Sequence, residues 1–314
     1  MYTVNRFGAV DVLTAGNGGV VPYGNTVVVR GSDAVLVIDP SLALDDDPVG
    51  ADAVMISHAH EDHIAGLRHF TADTFAHRHD AAAVGSLDTL IAGYGLDPDL
   101  RAAMTTVMTD DYHLPAVRDG VLGVTDGHTF DLGDHTATVI HLPGHTAGHC
   151  GVLIEPAGFL YIADIDLTSF GPMYGDLGSS LDDFLASIDR VGEIDARWYG
   201  TFHHKGVVTG RSEFGNRLAA YRHRILEREE RLLEFLRQPR TFDEIVAHRL
   251  VYRPHVEAPW VRSVERRTAQ LHLERLLDAG AVTAIGDEQT GRHTGDAQTD
   301  ARSGAVSTMS WVIA

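Results

Sequence analysis

A single cysteine and a single lysine stand in a chain of 314 residues. One cysteine excludes an internal disulfide framework, and Cys150, at the start of the apolar stretch 151–154, reads as a buried structural thiol rather than a ligand or nucleophile. No apolar run approaches the length of a membrane span, and residues 1–10 lack the apolar core of a secretory leader. The expected location is the cytoplasm, with no membrane partner. Basic residues are scarce too: 25 Lys and Arg face 44 Asp and Glu, a net charge of −19. So acidic a chain repels phosphate backbones, which disfavours nucleic acid as a partner. A hydrophobic share of 44% is ordinary, and the length exceeds one average domain.

Histidine, by contrast, is plentiful, with 19 in the chain. Four residues of metal-ligand type crowd one stretch, His58-Ala59-His60-Glu61-Asp62-His63. Imidazoles and carboxylates are poor core residues, but they are donors that zinc accepts, so the crowding points to a dinuclear metal site. Residues 52–56 read as a short apolar strand and residues 64–67 as the opening of a helix. The donors then sit on a strand-to-helix turn where their side chains can converge. Glu61, between them, is expected to face solvent.

Further donors lie downstream, at the ends of apolar stretches. His145 follows a strand over 136–140 and a Pro143-Gly144 turn that would aim it into a cleft. Asp164 closes the apolar strand 158–164 and is a natural bridging ligand. After a helix pattern over 181–191, the strand 197–202 runs into His203-His204-Lys205-Gly206, where either histidine could complete a second site. Lys205, the one lysine, could pair with an anionic group of a substrate. His141 and His149 flank the His145 turn and could support the ligands. The remaining histidines, His77 and His272 among them, lack convergent spacing and read as surface or hydrogen-bonded structural residues.

These elements, in this order, resemble the metallo-β-lactamase superfamily, whose hydrolases carry H-x-H-x-D-H, a later His in a Gly-His-Thr turn, a bridging Asp and a final His. The resemblance covers about residues 1 to 210. It implies an α/β chain with the αββα sandwich of that family. By resemblance, His58, His60 and His145 would hold one metal, Asp62, His63 and the final His another, with Asp164 between. The small residue and Val-rich strand that follow, Gly206-Val207-Val208, favour His204 over His203 as the final ligand. Relatives also place an Asp after an early strand near the metals, which makes Asp39, at the end of the stretch 34–39, a partner that orients a ligand His. Hairpins over 26–39 and 130–141 and helical patterns over 81–94 and 99–106 suit two sheets flanked by helices.

Composition changes near residue 210. Residues 1–210 hold 9 basic against 29 acidic side chains, whereas residues 211–280 hold 14 against 11. A catalytic domain over 1–210 and a second domain over 211–314 are expected on that basis. Leu218, Tyr221, Ile225, Leu232 and Phe235 recur at helical spacing. Thr241-Phe242-Asp243-Glu244 is a capping box for a second helix, and Ser263 opens a third that stops at Ala279-Gly280. Two β-prone runs, 281–285 and 305–313, would pair as a hairpin across a mobile loop over 286–304. Three helices and a hairpin resemble a winged helix, a module that several hydrolases of the superfamily append. Its mixed charge makes a poor nucleic-acid footprint, so packing on the parent domain, covering the active-site mouth or a homodimer contact is expected instead.

The expected chemistry is that of a dinuclear zinc hydrolase: two cations share a water, lower its pKa towards neutrality and present a bridging hydroxide to an electrophilic carbonyl. Asp62 would be a ligand with a catalytic, proton-shuttling role. Iron or manganese would suit the same donors. The Pro143-Gly144-His145-Thr146 turn is similar to that of hydroxyacylglutathione hydrolases, which puts a small-molecule ester, thioester or lactone first among substrates. Two alternatives stay open: an endoribonuclease or phosphodiesterase, which winged-helix-bearing relatives suggest, and an iron-dependent sulfur dioxygenase. Loops 75–111 and 168–180 are expected to shape the pocket, with Tyr174 on its rim as a substrate contact.

Overall fold

Short valine-bearing apolar stretches recur over the first part of the chain, and in the computed structural model, which describes residues 1–286 and 309–314, seven strands there build one sheet. Its strands are β1 (Tyr2–Phe7), β2 (Val10–Ala15), β3 (Asn25–Arg30), β4 (Val35–Ile38), β5 (Ala53–Ile56), β6 (Asp73–His77) and β7 (Val121–Val124), side by side in chain order. The first four pair antiparallel and β4 to β7 run parallel. In β3, Val27 and Val29 face one core while Val28 faces another; in β4, Leu36 and Ile38 oppose Val37 in the same way. Helices α1 (Glu61–Ile64), α2 (Ala81–Val84), α3 (Leu87–Gly93) and α4 (Pro98–Asp110) supply Ile64, Val84, Leu90 and Met108 to the outer of these cores.

The second sheet joins β8 (Thr129–Asp131), β9 (Thr136–His141), β10 (Cys150–Glu155), β11 (Phe159–Tyr161), β12 (Trp198–Gly200) and β13 (Val207–Thr209) in the order β13-β12-β11-β10-β9-β8. Its neighbours are antiparallel except β11 and β12, which are parallel because the helix α5 (Leu181–Glu193) crosses between them. Val139, Val152, Phe159 and Tyr161 meet the inward side chains of the first sheet. Ile140, Leu160, Tyr199 and Val208 face outward onto α5 and the long helix α6 (Arg211–Phe235). The layers are therefore helices, sheet, sheet, helices, the αββα sandwich.

The rest of the chain contributes α7 (Phe242–His248), α8 (Val261–Asp278) and a small sheet of β14 (Arg240–Thr241), β15 (Val282–Ile285) and β16 (Ser310–Ile313), ordered β14-β16-β15. Thr241 and Glu244 form a reciprocal capping box at the start of α7. Strands β15 and β16 pair antiparallel, while residues 287–308 between them, which include most of the expected loop over 286–304, lie outside the described residues. Leu236, Ile245, Leu273 and Val282 make a separate core here. Helix α6 enters two cores: Phe214, Leu218, Tyr221 and Ile225 pack under the second sheet, and Leu232 packs in the C-terminal core. Among the described residues no helix is long and apolar enough to cross a membrane.

Several local expectations need correction. The helix near residue 64 starts earlier, at Glu61, and tightens into a 3-10 turn over Ala65–His69. The pattern over 81–94 breaks at Gly85-Ser86, because the Ser86 hydroxyl accepts from the Thr89 N–H and caps a new helix. Residues 75–111 are mostly helical rather than a pocket loop.

Because Ile225 is fully buried where α6 covers the second sheet, Ile225→Ala is expected to cost about 2–5 kcal/mol. Urea unfolding followed by tryptophan fluorescence and circular dichroism should give coincident, shifted midpoints.

Candidate metal centre

The candidate ligands converge where strands of both sheets end. Strand β5 delivers Ser57 and His58; His60 stands at the N-terminus of α1, and Asp62 and His63 occupy its first turn. Strand β9 leads into a turn at Gly144, whose φ of 129° favours glycine and whose added Cβ would lie 2.3 Å from Phe184 Cα. That turn presents His145. Strand β11 ends at Tyr161, and Ala163, with φ 46°, turns the chain so that Asp164 enters the cleft. His203 follows β12.

His58 Nε2, His60 Nδ1 and His145 Nε2 form a nearly equilateral triangle with sides of 3.0, 3.1 and 3.2 Å. These spacings approach the roughly 3.3 Å edge of a tetrahedron with zinc–nitrogen bonds of about 2.0–2.1 Å. Asp164 Oδ2 lies 3.4 Å from His145 Nε2 and 3.9 Å from His58 Nε2. Its other oxygen, Oδ1, lies 3.1 Å from His63 Nε2 and 3.8 Å from His203 Nε2. Asp62 Oδ2 is 3.1 Å from His203 Nε2. Two donor groups could each hold a metal ion: His58, His60, His145 and Asp164 in one, Asp62, His63 and His203 in the other. His63 Nε2 and Asp164 Oδ1 are buried and close, yet neither makes a hydrogen bond among the described residues. Buried polar atoms left so are rare and suit a cation between them.

The second nitrogen of each ring is also engaged. His60 Nε2 meets Asp176 Oδ2 at 2.7 Å, and His63 Nδ1 meets Asp39 Oδ2 at 2.8 Å. His145 Nδ1 meets the Met173 carbonyl at 2.8 Å, and His203 Nδ1 meets the Gly19 carbonyl at 3.0 Å. His58 Nδ1 meets Ser57 Oγ at 3.1 Å, and that hydroxyl donates to Asp39. With one proton held on the engaged nitrogen, each ring's other nitrogen faces the cleft and can ligate a metal once any second proton is released, as metal binding to histidine requires. Asp80 ties two ligand turns together, accepting from Ala59 N at 3.1 Å and Thr146 Oγ1 at 2.6 Å.

Charge sharpens the picture. Burial works against a charged His60, but the Asp176 carboxylate prevails and lifts the ring to about 9. Burial opposes charge on His203 as well, and Asp164 and Asp62 lift it to about 9. His149, through burial and its neighbour His145, falls to about 3. It stays neutral, with Nδ1 on the Leu142 carbonyl and Nε2 accepting from the Asp164 N–H at 3.2 Å, so it holds Asp164 by its backbone.

Other expected site residues lie differently. His204, ranked first as the final ligand, is exposed, with a φ of 49°, whereas His203 is buried with its Nε2 3.1 Å from Asp62 Oδ2. Lys205 is exposed on the same turn. Tyr174 is 0% exposed, with its hydroxyl bonded to Arg228 and His272, so it cannot touch a substrate at the rim. Glu61 does not face solvent freely but accepts from the Tyr94 hydroxyl at 2.5 Å. Asp80 and Asp176 escape sequence reading, since they stand alone in segments without a motif. The nearest signal for Asp176 is its place in the 168–180 loop.

Comparison with known proteins agrees with the geometry. The family model described as the metallo-beta-lactamase superfamily matches residues 19–204. The acyl-coenzyme A thioesterase MBLAC2 of Gallus gallus is 30% identical over 189 residues, 54% of this chain and 67% of the relative. A hydroxyacylglutathione hydrolase of Shewanella loihica is 26% identical over 132 residues, 42% of this chain and 40% of the relative, so the chain spans under half of that protein. Among solved structures, a metallo-beta-lactamase family protein from Thermus thermophilus superposes with a TM-score of 0.65 at 21% identity, covering 88% of this chain and 96% of its own, which speaks for the fold alone. With the family model covering more than half its length, the chain belongs to the metallo-beta-lactamase superfamily.

Proposed function

We propose that this chain is a dinuclear zinc hydrolase of a small-molecule thioester, with esters and lactones in the same reaction class. The observation that carries the proposal is Asp164, whose two oxygens face the two donor groups separately. Four carboxylates, Asp39, Asp62, Asp164 and Asp176, surround five imidazoles in or at the edge of a buried cleft. Burying that many anions is costly, and two divalent cations would balance their charge. The donor set of imidazole and carboxylate suits zinc first and also admits iron or manganese. The two relatives, named for hydrolysis of acyl-coenzyme A and of hydroxyacylglutathione, support an acyl substrate over a phosphodiester.

In this reading His58, His60 and His145 hold one ion, Asp62, His63 and His203 the other, and Asp164 lies between. Bound there, the ions would supply Lewis acidity to the acyl carbonyl and lower the pKa of an attacking water. Asp62 takes the proton-shuttling role at Oδ1, which lies 3.9 Å from His63 Nε2 and is less engaged than Oδ2. Asp39 and Ser57 hold His63 and His58 in the ligating tautomers. Lys205, exposed beside His203, is assigned to an anionic group of the substrate. The C-terminal unit runs helix, strand, helix, helix, hairpin, and we read it as winged-helix-like, packed on its parent rather than reaching for nucleic acid.

Metal analysis of the purified chain is expected to give about two zinc ions per molecule. Tested on an acyl-coenzyme A thioester, a lactone, bis(p-nitrophenyl) phosphate and single-stranded RNA, the chain should turn over the thioester, and His60→Ala should abolish that turnover. Turnover of RNA or the phosphodiester alone would overturn the acyl reading, and iron without hydrolysis would replace it with oxygen chemistry on sulfur. In parallel, His203→Ala should lose about one metal equivalent while His204→Ala keeps both, measured by the same metal analysis.

A further inference from the structure

The buried stripe of α6 runs Phe214, Leu218, Tyr221, Ile225, Arg228, Leu232, and one of these six is a guanidinium, 3% exposed. Buried cations need a reason. Arg228 spends its donors on one stretch of chain: Nη1 on the Pro172 carbonyl and, at 2.8 Å, on the Tyr174 hydroxyl, and Nη2 on the Phe170 carbonyl at 2.9 Å. From α8, Arg267 reaches the same stretch, with Nε on the Asp176 carbonyl at 3.2 Å and Nη2 on the Ser179 carbonyl at 2.9 Å. His272, also on α8, meets the Tyr174 hydroxyl at 3.0 Å.

The stretch 170–179 has no helix or strand of its own. Its opposite side carries the Met173 carbonyl, bonded to His145, and the Asp176 carboxylate, bonded to His60. The Ser179 hydroxyl donates to the His145 carbonyl at 2.6 Å and accepts from the Asp176 N–H at 3.0 Å. Packing from α6 and α8 is tight: a Cβ on Gly171 would fall 2.6 Å from Arg224 Cβ, and one on Gly175 2.7 Å from Val264 Cγ1. An irregular segment thus carries two ligand-orienting groups on one side and is gripped by three C-terminal side chains on the other.

We infer that the C-terminal helices are part of the metal centre's support: Arg228 and Arg267 are positioning residues that hold the segment 170–179, and through it His60 and His145, in ligating geometry. The inference rests on the dinuclear reading above. It predicts a selective effect, because among the described residues no C-terminal side chain grips the partners of His63 or His203, which are Asp39 and Gly19. Loosening the segment should weaken the ion of the His58, His60 and His145 group and leave the other in place.

The test is a zinc titration of the full chain against a competing chelator, which resolves the two equivalents, repeated for Arg267→Ala, Arg267→Lys and, as a control on the same helix, Arg266→Ala. Arg266 is exposed and lies over the Phe242 ring instead. Arg267→Ala is expected to weaken one equivalent about tenfold, within the range seen when groups that orient ligands are lost. Arg267→Lys should lose less, and Arg266→Ala nothing. In an Asp176→Asn background, Arg267→Ala should cost less than in the unmodified chain, because part of its effect runs through the contact of Asp176 with His60. Equal weakening of both equivalents, or wild-type affinity for both in a folded Arg267→Ala chain, would overturn the inference. Failure of the unmodified chain to bind two ions would instead overturn the dinuclear reading, and this one with it.

Discussion

Everything at the centre of this molecule hangs on the carboxylate of Asp39. It is fully buried between the sheets and accepts from the Ser57 N–H at 2.7 Å, the Ser57 hydroxyl at 2.5 Å, His63 Nδ1 at 2.8 Å and the Tyr161 hydroxyl at 2.7 Å. These donors come from the end of β5, from α1 and from β11, so one anion joins the first sheet, the ligand-bearing turn and the second sheet. An isolated buried carboxylate would be prohibitive, and four charge-assisted hydrogen bonds make it tenable. Removing it would leave two hydroxyls, an amide and an imidazole without this partner at once, which is why its effect would reach both fold and site.

Around that anchor, the candidate ligands obey one rule: each imidazole is held from behind. The holders differ in kind. Ser57 is local to the H-x-H-x-D-H turn and Asp39 follows the neighbouring strand β4, Gly19 lies 184 residues before His203, and Met173 and Asp176 come from a segment that the last third of the chain supports. Orientation on one side of the cleft is therefore built into the strands and their turns, whereas on the other it depends on α6 and α8, which follow the last strand of the second sheet.

Legibility followed the same division. The strands β3, β4, β5, β9 and β10 could be read because valine and isoleucine alternate over them or run between turn residues, and the ligand turn because its donors are contiguous. The capping box at Thr241 was equally plain. Asp176 and Asp80 were not legible: each is a single carboxylate in an irregular or helix-edge segment, and only folding brings it near an imidazole. The choice between His203 and His204 was not legible, since two adjacent residues of one type differ only in that the fold buries the first and exposes the second. Tyr174 was misread as a rim residue of the loop 168–180, while Arg228, hidden in a stripe of apolar positions, bonds its hydroxyl and the Pro172 carbonyl and holds that loop inward.

Helix α6 also has a consequence for biogenesis. A nascent chain that has reached only residue 210 carries Leu160, Tyr199 and Val208 on the outer face of its second sheet with no Phe214, Tyr221 or Ile225 to cover them. Domains ordinarily settle one after another as they emerge from the ribosome. Here the outer face of the second sheet is completed by side chains that follow the last of its strands, so that face and the start of α6 form one core.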